Sequence, residues 1–355
     1  MDPFRVGIIG CGQTRASGRA TGAGISHRHA DGYRATPDAE IVALADIVIE
    51  NAEAFQALHG GDRLYTDYHE MLAEENLDIV SICTWPHLHA PMVIAACEAG
   101  VKAVHCEKPM ARTYGEAVAM VKAADECGVQ LTLNHQRRFG APFRRAKELL
   151  KSGAIGDLVR LEASTSNMYD WGTHWFDMLF YYNDETPVEW VIGQIDPRGG
   201  RKVFGVYVEG QGLCHFRFQN GVYGLMVTGK DTGWPAENRL VGTEGVIEVG
   251  VSPEVPLRMW GKGQSAWEPV ELDEGIHAQE HFQRAIVDLV DALKEGREPE
   301  TSGARALRTS ELIFATYESS RRRGRVDLPL DVDDSPLLSM LEDHATGGVY
   351  DGLTL

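Results

Sequence analysis

The first half of the chain repeats one pattern that restricts its fold more than any other feature: short apolar runs alternate with segments of helical periodicity. Apolar runs of about four to six residues are typical of parallel strands that are buried on both faces of a sheet. Parallel strands need crossover connections, and such crossovers are right-handed. We therefore predict a doubly wound α/β sheet. Its predicted strands are residues 4–9, 41–45, 79–83, 103–106 and 131–134.

After about residue 155 the pattern changes to an alternation of apolar and polar residues, which is typical of antiparallel strands with one buried face. The Asn220-Gly221 pair predicts a hairpin with a type I′ turn, because both residue types tolerate a positive φ. We predict an α+β domain with a large, mainly antiparallel, open-faced sheet and flanking amphipathic helices. The strands cover residues 158–166, 202–208, 213–218 and 239–249, and the helices cover residues 278–295 and 303–323.

The change of pattern predicts two domains, residues 1–140 and 141–325, followed by a tail, residues 326–355. The tail contains seven acidic residues and no lysine or arginine, and Pro329 and Pro336 interrupt regular structure. We predict an acidic, extended tail that is pinned to the protein by apolar side chains. These side chains are Leu337, Leu338, Met340 and Leu341.

The charge balance and the length of the apolar runs exclude several classes of partner. With 34 basic and 52 acidic residues, the chain has a formal charge of −18. Nucleic-acid binding depends on basic patches, so we expect no nucleic-acid partner. The apolar runs are far shorter than the about 20 residues of a membrane span, so we expect no membrane partner. Residues 1–5 lack the profile of a secretory signal.

The six cysteines show no C-x-x-C spacing, and most of them lie in apolar segments. Such cysteines are usually small buried side chains in a reducing compartment, so we expect a cytoplasmic protein. His277 and His281 lie one helical turn apart, which is a spacing that metal sites use. No third ligand lies near them in the sequence, and we therefore expect no metal site.

Gly10-Cys11-Gly12 directly follows the first predicted strand, where the loop that binds a dinucleotide begins in doubly wound folds. Glycines there let the backbone approach a pyrophosphate, and the next helix offers unpaired N–H groups at its N-terminus. Arginine at position 15 replaces the third glycine of G-x-G-x-x-G, so we interpret residues 13–24 as a lengthened loop that orders over the cofactor. The alternatives are a permanently ordered insertion, or a simple tight turn at residues 10–12.

Asp46 ends the second predicted strand, 22 positions after Gly24, close to the usual distance of the acidic residue that binds the adenosine ribose. Its charge would repel a 2′-phosphate, so we predict NAD rather than NADP as the cofactor. An Asp that only caps the next helix is the alternative, and Arg15 or Arg19 would weaken the preference by reaching the 2′ position. The predicted contacts on this side of the cofactor are Gly10, Cys11, Gly12, Gln13, Asp46 and Ile47.

Three further segments follow predicted strands, in this order: Thr84-Trp85-Pro86-x-x-His89, Glu107-Lys108-Pro109, and Asp170-x-Gly172-x-His174-x-x-Asp177. Together with the glycine loop they resemble the Gfo/Idh/MocA family of glucose–fructose oxidoreductase, inositol dehydrogenase and related sugar dehydrogenases. The E-K-P and D-x-G-x-H-x-x-D motifs of that family are intact, whereas its T-P-x-x-x-H carries an inserted tryptophan here. The resemblance extends from Arg5 to about Pro329.

The resemblance implies a role for each motif. The first two, and the end of the last strand of the sheet, would face the nicotinamide; the third would bind a carbohydrate or polyol. Aromatic faces beside polar groups suit a sugar ring, although core tryptophans are the alternative. The implied cofactor contacts are Thr84, Trp85, Pro86, His89, Glu107, Lys108, Pro109 and Asn134. The implied substrate contacts are Lys108, Tyr169, Asp170, Trp171, His174, Trp175 and Arg138, with Arg137 as the alternative to the last.

The chemistry of these motifs also has a physical basis. Asp170 and His174 are four residues apart, so they are neighbours on one face if the segment is helical. A carboxylate beside an imidazole fixes its tautomer and stabilises its protonated form, which suits a general base. Lys108, at the carboxyl edge of a parallel sheet, would stabilise an alkoxide-like transition state. Taken alone, an Asp-x-x-x-His pair is more often a surface ion pair.

These observations predict an NAD-dependent oxidoreductase that moves a hydride between the nicotinamide and a secondary hydroxyl of a sugar, sugar derivative or cyclitol. One alternative is an enzyme that cleaves glycosides through transient oxidation by NAD, without net redox. Another is a non-catalytic regulator that senses the dinucleotide and needs no proton-transfer residues. The open apolar face of the second sheet and the resemblance together imply a homo-oligomer, either a dimer or a tetramer.

Overall fold

The computed structural model describes residues 2–12, 24–230 and 232–345. Gln13, Arg15 and Arg19, and with them the predicted ordering of the loop over the cofactor, lie outside the described residues. The chain divides into two compact units, each assembled from several segments. The first contains Met1–Ala111, Glu116–Gln136 and Gln279–Ala306, and the second contains Arg112–Gly115, Arg137–Ala278 and Leu307–Leu355.

The first unit is built on a six-stranded sheet in which all neighbouring strands are parallel. Its strands are β1 (Phe4–Ile9), β2 (Ala39–Ala45), β3 (Arg63–Tyr65), β4 (Ile79–Ile82), β5 (Ala103–Cys106) and β6 (Gln130–Leu133). The intervening helices are α1 (Ser26–Arg34), α2 (Ile49–His59), α3 (Tyr68–Glu74), α4 (Pro86–Glu98) and α5 (Tyr114–Cys127). The strand order is β3-β2-β1-β4-β5-β6. Successive strands are added on one side of β1 as far as β3 and on its other side from β4 onward, so β1 and β4 flank a switch point. Doubly wound sheets bind ligands at the carboxyl ends of the strands beside such a switch point.

The five predicted strands of this sheet are all present, and the predicted parallel, doubly wound architecture is confirmed. Only the edge strand β3 of this sheet was not predicted. Its three residues, Arg63-Leu64-Tyr65, are too few to form a recognisable apolar run.

The helix that the sequence analysis placed in the second domain, α8 (Glu280–Glu295), belongs to the first unit. Its buried residues Ile286, Leu289 and Val290 join the apolar cluster around β1 and α1. The packing against α1 is close, because a Cβ atom added to Gly32 would lie 2.6 Å from the Cβ of Ile286. Helical periodicity in a sequence indicates that one face is buried, but not which sheet receives that face.

The second unit contains a nine-stranded sheet in the order β16-β15-β14-β13-β7-β12-β11-β8-β17. Within it β7 and β12 are parallel, and the other neighbouring strands are antiparallel, as predicted. Its strands are β7 (Leu158–Thr165), β8 (Val188–Asp196), β11 (Gln211–Phe218), β12 (Tyr223–Gly229), β13 (Asn238–Gly242), β14 (Val246–Val249), β15 (Leu257–Trp260), β16 (Glu268–Pro269) and β17 (Val326–Asp327). A separate ribbon consists of β9 (Arg201–Val203) and β10 (Val206–Val208).

One face of the nine-stranded sheet packs in a core that includes the wholly buried helix α7 (Gly172–Tyr182). The remaining helices are α6 (Ala141–Lys151), α9 (Gly303–Arg322), α10 (Pro336–Ala345) and a short 3-10 helix (Gln136–Phe139) that precedes α6. None of the described helices is both long and apolar enough to cross a membrane.

The opposite face of the sheet leaves apolar side chains exposed in the single chain. Ile192 and Leu213 are 49% and 48% exposed, because alternate residues of β8 and β11 point to this face. The strand pairing places Glu162, Arg239 and Glu248 on this same face. There Glu162 and Glu248 are buried in ion pairs with Arg239, at 2.6 and 2.8 Å. The open face is therefore apolar on one side and ion-paired on the other.

The hairpin between β11 and β12 is present, but its turn is not type I′. Gly221 has a φ of 92°, whereas Asn220 does not adopt a positive φ. The backbone N–H of Phe218 donates to the carbonyl oxygen of Val222 at 2.8 Å, so the loop contains three residues rather than two. Three-residue hairpin loops need only one residue in the left-handed region, and glycine fills that position here.

The prediction of an extended tail is wrong. β17 pairs with β8, and Pro336 begins the helix α10. Proline is favoured in the first turn of a helix, where its missing N–H would have no intrahelical partner. Leu337 and Leu341 lie on one face of α10 and are buried in the core of the second unit, with Leu338 and Met340 packed against it.

Leu341→Ala tests whether the tail is part of this core. The substitution leaves a cavity, so the free energy of unfolding should fall by about 2–5 kcal/mol in equilibrium urea denaturation. The neighbouring Glu342 is exposed, and Glu342→Ala should change the free energy by less than about 0.5 kcal/mol. Equal effects of the two substitutions would contradict the packing of α10.

Candidate active site

Gly10 and Gly12 follow β1 at the switch point, and both adopt the left-handed backbone that glycine favours, with φ values of 87° and 58°. A Cβ atom added to Gly10 would lie 2.9 Å from Thr84 Cγ2 and 3.0 Å from the carbonyl oxygen of Cys83. A larger residue at this position would therefore collide with the segment that follows β4. The glycine keeps the loop free of side chains, which the close approach of a pyrophosphate requires.

The carboxylate of Asp46, at the end of β2, accepts hydrogen bonds from four groups of the described residues. Its Oδ2 accepts the backbone N–H groups of Cys11 and Gly12, at 2.9 and 3.2 Å. Its Oδ1 accepts the backbone N–H of Val48 and the amide of Asn51, at 2.9 and 3.2 Å. The carboxylate thus joins the glycine loop to the start of α2, which agrees with the capping alternative, while its contact with a ribose stays a prediction. The next residue, Ile47, is 90% exposed and free to contact a ligand.

The Thr84-Trp85-Pro86 segment connects β4 to α4. Trp85 is 47% exposed, and the hydroxyl of Thr84 donates to the sulfur of Met92 at 3.3 Å. His89, which was expected to contact the cofactor, is instead buried in α4. Its Nδ1 lies 3.0 Å from the carbonyl oxygen of Pro109, and its Nε2 lies 3.1 Å from that of Thr84. His89 therefore connects the segment after β4 to the segment after β5. Burial lowers the pKa of His89.

Glu107 is a buried carboxylate at the end of β5. His29 Nε2 lies 2.9 Å from its Oε1, and the side-chain amide of Asn134 donates to the same oxygen at 2.5 Å. Burial alone would raise the pKa of Glu107, but hydrogen bonds from His29 and Asn134, with the charges of His29 and Lys108, lower it to about 2. Asn134 was expected to face the nicotinamide, but its side-chain amide donates a hydrogen bond to Glu107 instead.

Lys108 follows Glu107 at the carboxyl edge of the sheet, where the sequence placed it. Its backbone N–H donates to Glu107 Oε2 at 3.0 Å, and its peptide bond to Pro109 is cis. The side chain of Lys108 is only partly buried, in contrast to Glu107. The first unit therefore presents a cationic side chain from a segment whose backbone is held by a buried anion.

Asp170 and His174 lie at the start of α7 in the second unit. His174 is in the first turn of α7, and its backbone N–H donates to Trp171 at 3.1 Å. Asp170 lies in the turn before the helix, where its backbone N–H donates to Asn167 Oδ1 at 2.7 Å. Both residues are buried, which is inconsistent with an ordinary surface ion pair. The condition that both lie on one helical face is therefore not met, but a buried carboxylate and a buried imidazole four residues apart suit proton transfer.

Glu209, which the sequence analysis did not single out, holds the segment before α7. One carboxylate oxygen accepts the backbone N–H of Met168 and the hydroxyl of Thr228, at 2.5 and 3.0 Å, and the other accepts the hydroxyl of Tyr317 at 2.7 Å. Burial raises the pKa of Glu209, and these hydrogen bonds oppose the shift. Nothing in the sequence distinguishes this carboxylate from the many exposed ones.

Three of the predicted substrate contacts are buried in the protein interior. Arg138 is completely buried, with a bidentate ion pair to Asp177 at 2.8 Å and a second pair to Glu185 at 2.6 Å. Trp175 and Tyr169 are members of the apolar core. The substrate role that was predicted for Arg138 is therefore replaced by a structural one, and the core alternative applies to Trp175 and Tyr169. Trp171 remains 39% exposed.

A cavity of about 510 Å³ lies in the second unit beside Trp171. Its wall contains the functional groups that carbohydrate sites combine, namely indole rings, hydroxyls, a carboxylate and an imidazole. Most of these residues were missed, because they lie in irregular segments without a motif. The chemically active lining residues are Ser164, Thr165, Ser166, Trp171, Thr232, Trp234, Glu237 and His277.

Glu237 lines this cavity, and the oppositely charged Arg137 is buried next to it. Arg137 is buried against Trp175, 4.2 Å from the ring centre, and donates to Ile276 at 2.8 Å and to His277 Nδ1 at 3.2 Å. Burial lowers the pKa of Arg137 to about 10. Burial also raises the pKa of Glu237 to about 6, although Arg137 acts in the opposite direction. Of the two adjacent arginines, Arg137 is the one that bonds a residue of the cavity wall, His277.

No three His, Cys, Asp or Glu side chains in residues 2–12, 24–230 and 232–345 are grouped so that they could hold a metal ion.

Comparison with known proteins agrees with this architecture. Residues 4–135 match an oxidoreductase family with an NAD-binding Rossmann fold. The D-apiose dehydrogenase of Paraburkholderia graminis is 28% identical over 96% of this chain and 94% of its own length. The D-glucoside 3-dehydrogenase of Escherichia coli is 31% identical over 44% of this chain and 41% of its own length. The structure of the WlbA dehydrogenase from Bordetella pertussis, in complex with NADH and UDP-GlcNAcA, is 24% identical and has a TM-score of 0.73, covering 93% of this chain and 100% of that chain.

A parallel sheet with a glycine loop and an acid at the end of β2, followed by a mainly antiparallel sheet and a buried Asp-x-x-x-His, defines an NAD-binding oxidoreductase of two units. The intact E-K-P and D-x-G-x-H-x-x-D motifs narrow this class further. The family match over residues 4–135 and the similarity to D-apiose dehydrogenase over 96% of the chain support the Gfo/Idh/MocA family.

Asp46→Ser tests the choice of cofactor. Removing the carboxylate removes its repulsion of a 2′-phosphate, so the ratio of the Kd values for NADPH and NADH should fall about tenfold or more. Calorimetric titration of the wild type and the variant measures both constants. Asp62 is exposed and lies outside the loop, so Asp62→Ser should leave the ratio unchanged. A wild-type preference for NADPH would contradict the role of Asp46.

Proposed function

We propose that this protein is an NAD-dependent dehydrogenase that transfers a hydride between a secondary hydroxyl of a sugar, sugar derivative or cyclitol and the nicotinamide. The observation that carries the proposal is the burial of Asp170 and of His174 on either side of Trp171, a residue that lines a cavity with carbohydrate-type functional groups. A protein that only senses a dinucleotide has no need of a buried acid–base pair.

His174 is the proposed general base, which takes the hydroxyl proton as the carbon–hydrogen bond breaks. Asp170 orients the imidazole and stabilises the imidazolium that forms. Lys108 donates a hydrogen bond to the substrate oxygen and stabilises its developing negative charge. The bound NAD supplies the hydride acceptor. In the reverse direction, His174 returns the proton to the alkoxide oxygen.

The proposed substrate class rests on the cavity and on the names of relatives. Trp171 and Trp234 offer aromatic faces to a sugar ring, while Glu237 and the neighbouring hydroxyls offer partners for its hydroxyl groups. D-Apiose dehydrogenase and D-glucoside 3-dehydrogenase are relatives whose names denote sugar substrates. We propose Trp171, Glu237 and Arg137 as substrate contacts of this chain.

His174→Ala and Lys108→Ala should each lower kcat by about two to four orders of magnitude, because each removes a group that acts on the reacting oxygen. The assay follows NADH absorbance with a panel of sugars and cyclitols. The Kd for NAD of His174→Ala should match that of the wild type. Near-normal turnover by His174→Ala would refute its role as the base.

The same assay separates net oxidation from transient oxidation during glycoside cleavage. A dehydrogenase accumulates one NADH for each substrate molecule consumed. An enzyme that cleaves glycosides through a transient ketone consumes substrate while NADH remains constant. We expect stoichiometric NADH; its absence during continuous substrate loss would contradict the proposal.

The open face of the nine-stranded sheet supports a homo-oligomer, because a monomer would leave Ile192, Leu213 and Tyr223 in water. We propose a dimer or tetramer with closed symmetry that pairs through this face. Light scattering at micromolar concentration should give a multiple of the chain mass. Leu213→Glu places a charge in the face and should shift the mass toward that of one chain. A monomeric wild type would refute this interface.

We also propose a cytoplasmic location. All six cysteines are free thiols, and Cys11, Cys97, Cys106 and Cys214 are buried. Buried thiols without disulfides are typical of a reducing compartment, where NAD is also available as a soluble cofactor.

A further inference from the structure

A continuous set of buried hydrogen bonds connects α1 to the backbone of Lys108. His29 is the fourth residue of α1. Its Nε2 lies 2.9 Å from Glu107 Oε1, and its Nδ1 lies 3.0 Å from the hydroxyl of Ser81. The hydroxyl of Tyr33, one turn further along α1, lies 2.9 Å from that of Ser81. The second oxygen of Glu107 accepts the backbone N–H of Lys108 at 3.0 Å.

The other end of α1 is bonded to the glycine loop. The hydroxyl of Ser26, the first residue of α1, donates to the carbonyl oxygen of Cys11. The backbone N–H of Cys11 in turn donates to Asp46 at 2.9 Å. The elements that would hold the pyrophosphate and the ribose are therefore connected through one helix to the carboxylate beside Lys108.

We infer that His29 is a positioning residue for catalysis, which holds the Glu107–Lys108 peptide in place relative to the glycine loop. The inference rests on the proposed function, because it assigns His29 a role in placing the lysine that acts on the substrate oxygen. Without the donor on His29, the described residues leave Glu107 the amide of Asn134 and the N–H of Lys108 as donors. The buried carboxylate then has fewer donors, and the peptide shifts to restore them.

The neighbouring His105 provides a matched control. It is as completely buried as His29, and the two rings lie 4.7 Å apart. Its Nδ1 bonds the hydroxyl of Thr132 at 2.8 Å, however, and not Glu107. A substitution at His105 disturbs the same part of the interior but leaves the donors of Glu107 in place.

The experiment compares His29→Gln, which retains an N–H donor, with His29→Met, which has similar length and no donor, and with His105→Met. Hydrogen exchange of the Lys108 amide, measured by NMR in the presence of NAD, reports directly on the bond to Glu107. Turnover and the Kd for NAD are measured with the sugar or cyclitol that the wild type oxidises fastest. Thermal unfolding confirms that each variant is folded.

We expect His29→Met to accelerate exchange of the Lys108 amide at least about tenfold and to lower kcat about ten- to a hundredfold, while the Kd for NAD changes less than about threefold. His29→Gln should recover most of both losses, and His105→Met should show neither. If His29→Met does not fold, the comparison between His29→Gln and His105→Met decides: the Gln variant should retain slow exchange and near wild-type kcat.

Equal effects of His29→Met and His105→Met on exchange and kcat would overturn the inference, since both would then reflect general loss of packing. So would a His29→Gln variant as impaired as His29→Met. If the wild type oxidises no member of the panel, the proposed function fails. The exchange of the Lys108 amide still shows in that case whether His29 holds this peptide.

Discussion

The carboxylate of Glu107 is a charge without access to water, and much of the first unit is arranged around the need to hold it. A buried carboxylate costs several kcal/mol unless hydrogen-bond donors surround it. Here the donors come from α1, from the residue after β6 and from the next peptide of the chain. Since these groups belong to separate elements, satisfying one charge fixes three elements relative to one another. The position of Lys108 follows from that requirement.

The second unit uses the same principle with a buried cation. Burial opposes the charge of Arg138, but Asp177 and Glu185 outweigh it and raise its pKa. The bidentate pair joins the 3-10 helix before α6 to the middle of α7. Breaking a buried pair by removing one partner typically costs about 3–5 kcal/mol. The last acid of the D-x-G-x-H-x-x-D motif therefore maintains the helix on which His174 lies, rather than reacting itself.

The sequence predicted elements and chemistry well where a local pattern has a single structural meaning. Buried parallel strands and the glycine turn at residues 10–12 are examples, since strand and turn occur within a short segment. It failed where the partner is distant: His89 and Asn134 bind other parts of the protein, and Pro336 starts a helix instead of breaking one. Residue type alone does not reveal whether a polar side chain points to a ligand or to a buried neighbour.

The membership of α8 in the first unit has a consequence for synthesis on the ribosome. Domains generally fold as units while the chain emerges, starting from the N-terminus. The apolar surface of α1 around Gly32 is covered by Ile286, which in the chain follows every strand of the second sheet except β17. The unit that begins first therefore completes its core only after nearly all of the protein has been made. A fragment cut at the predicted boundary of residue 140 would expose that surface, and a nascent chain carries the same exposed surface until α8 arrives.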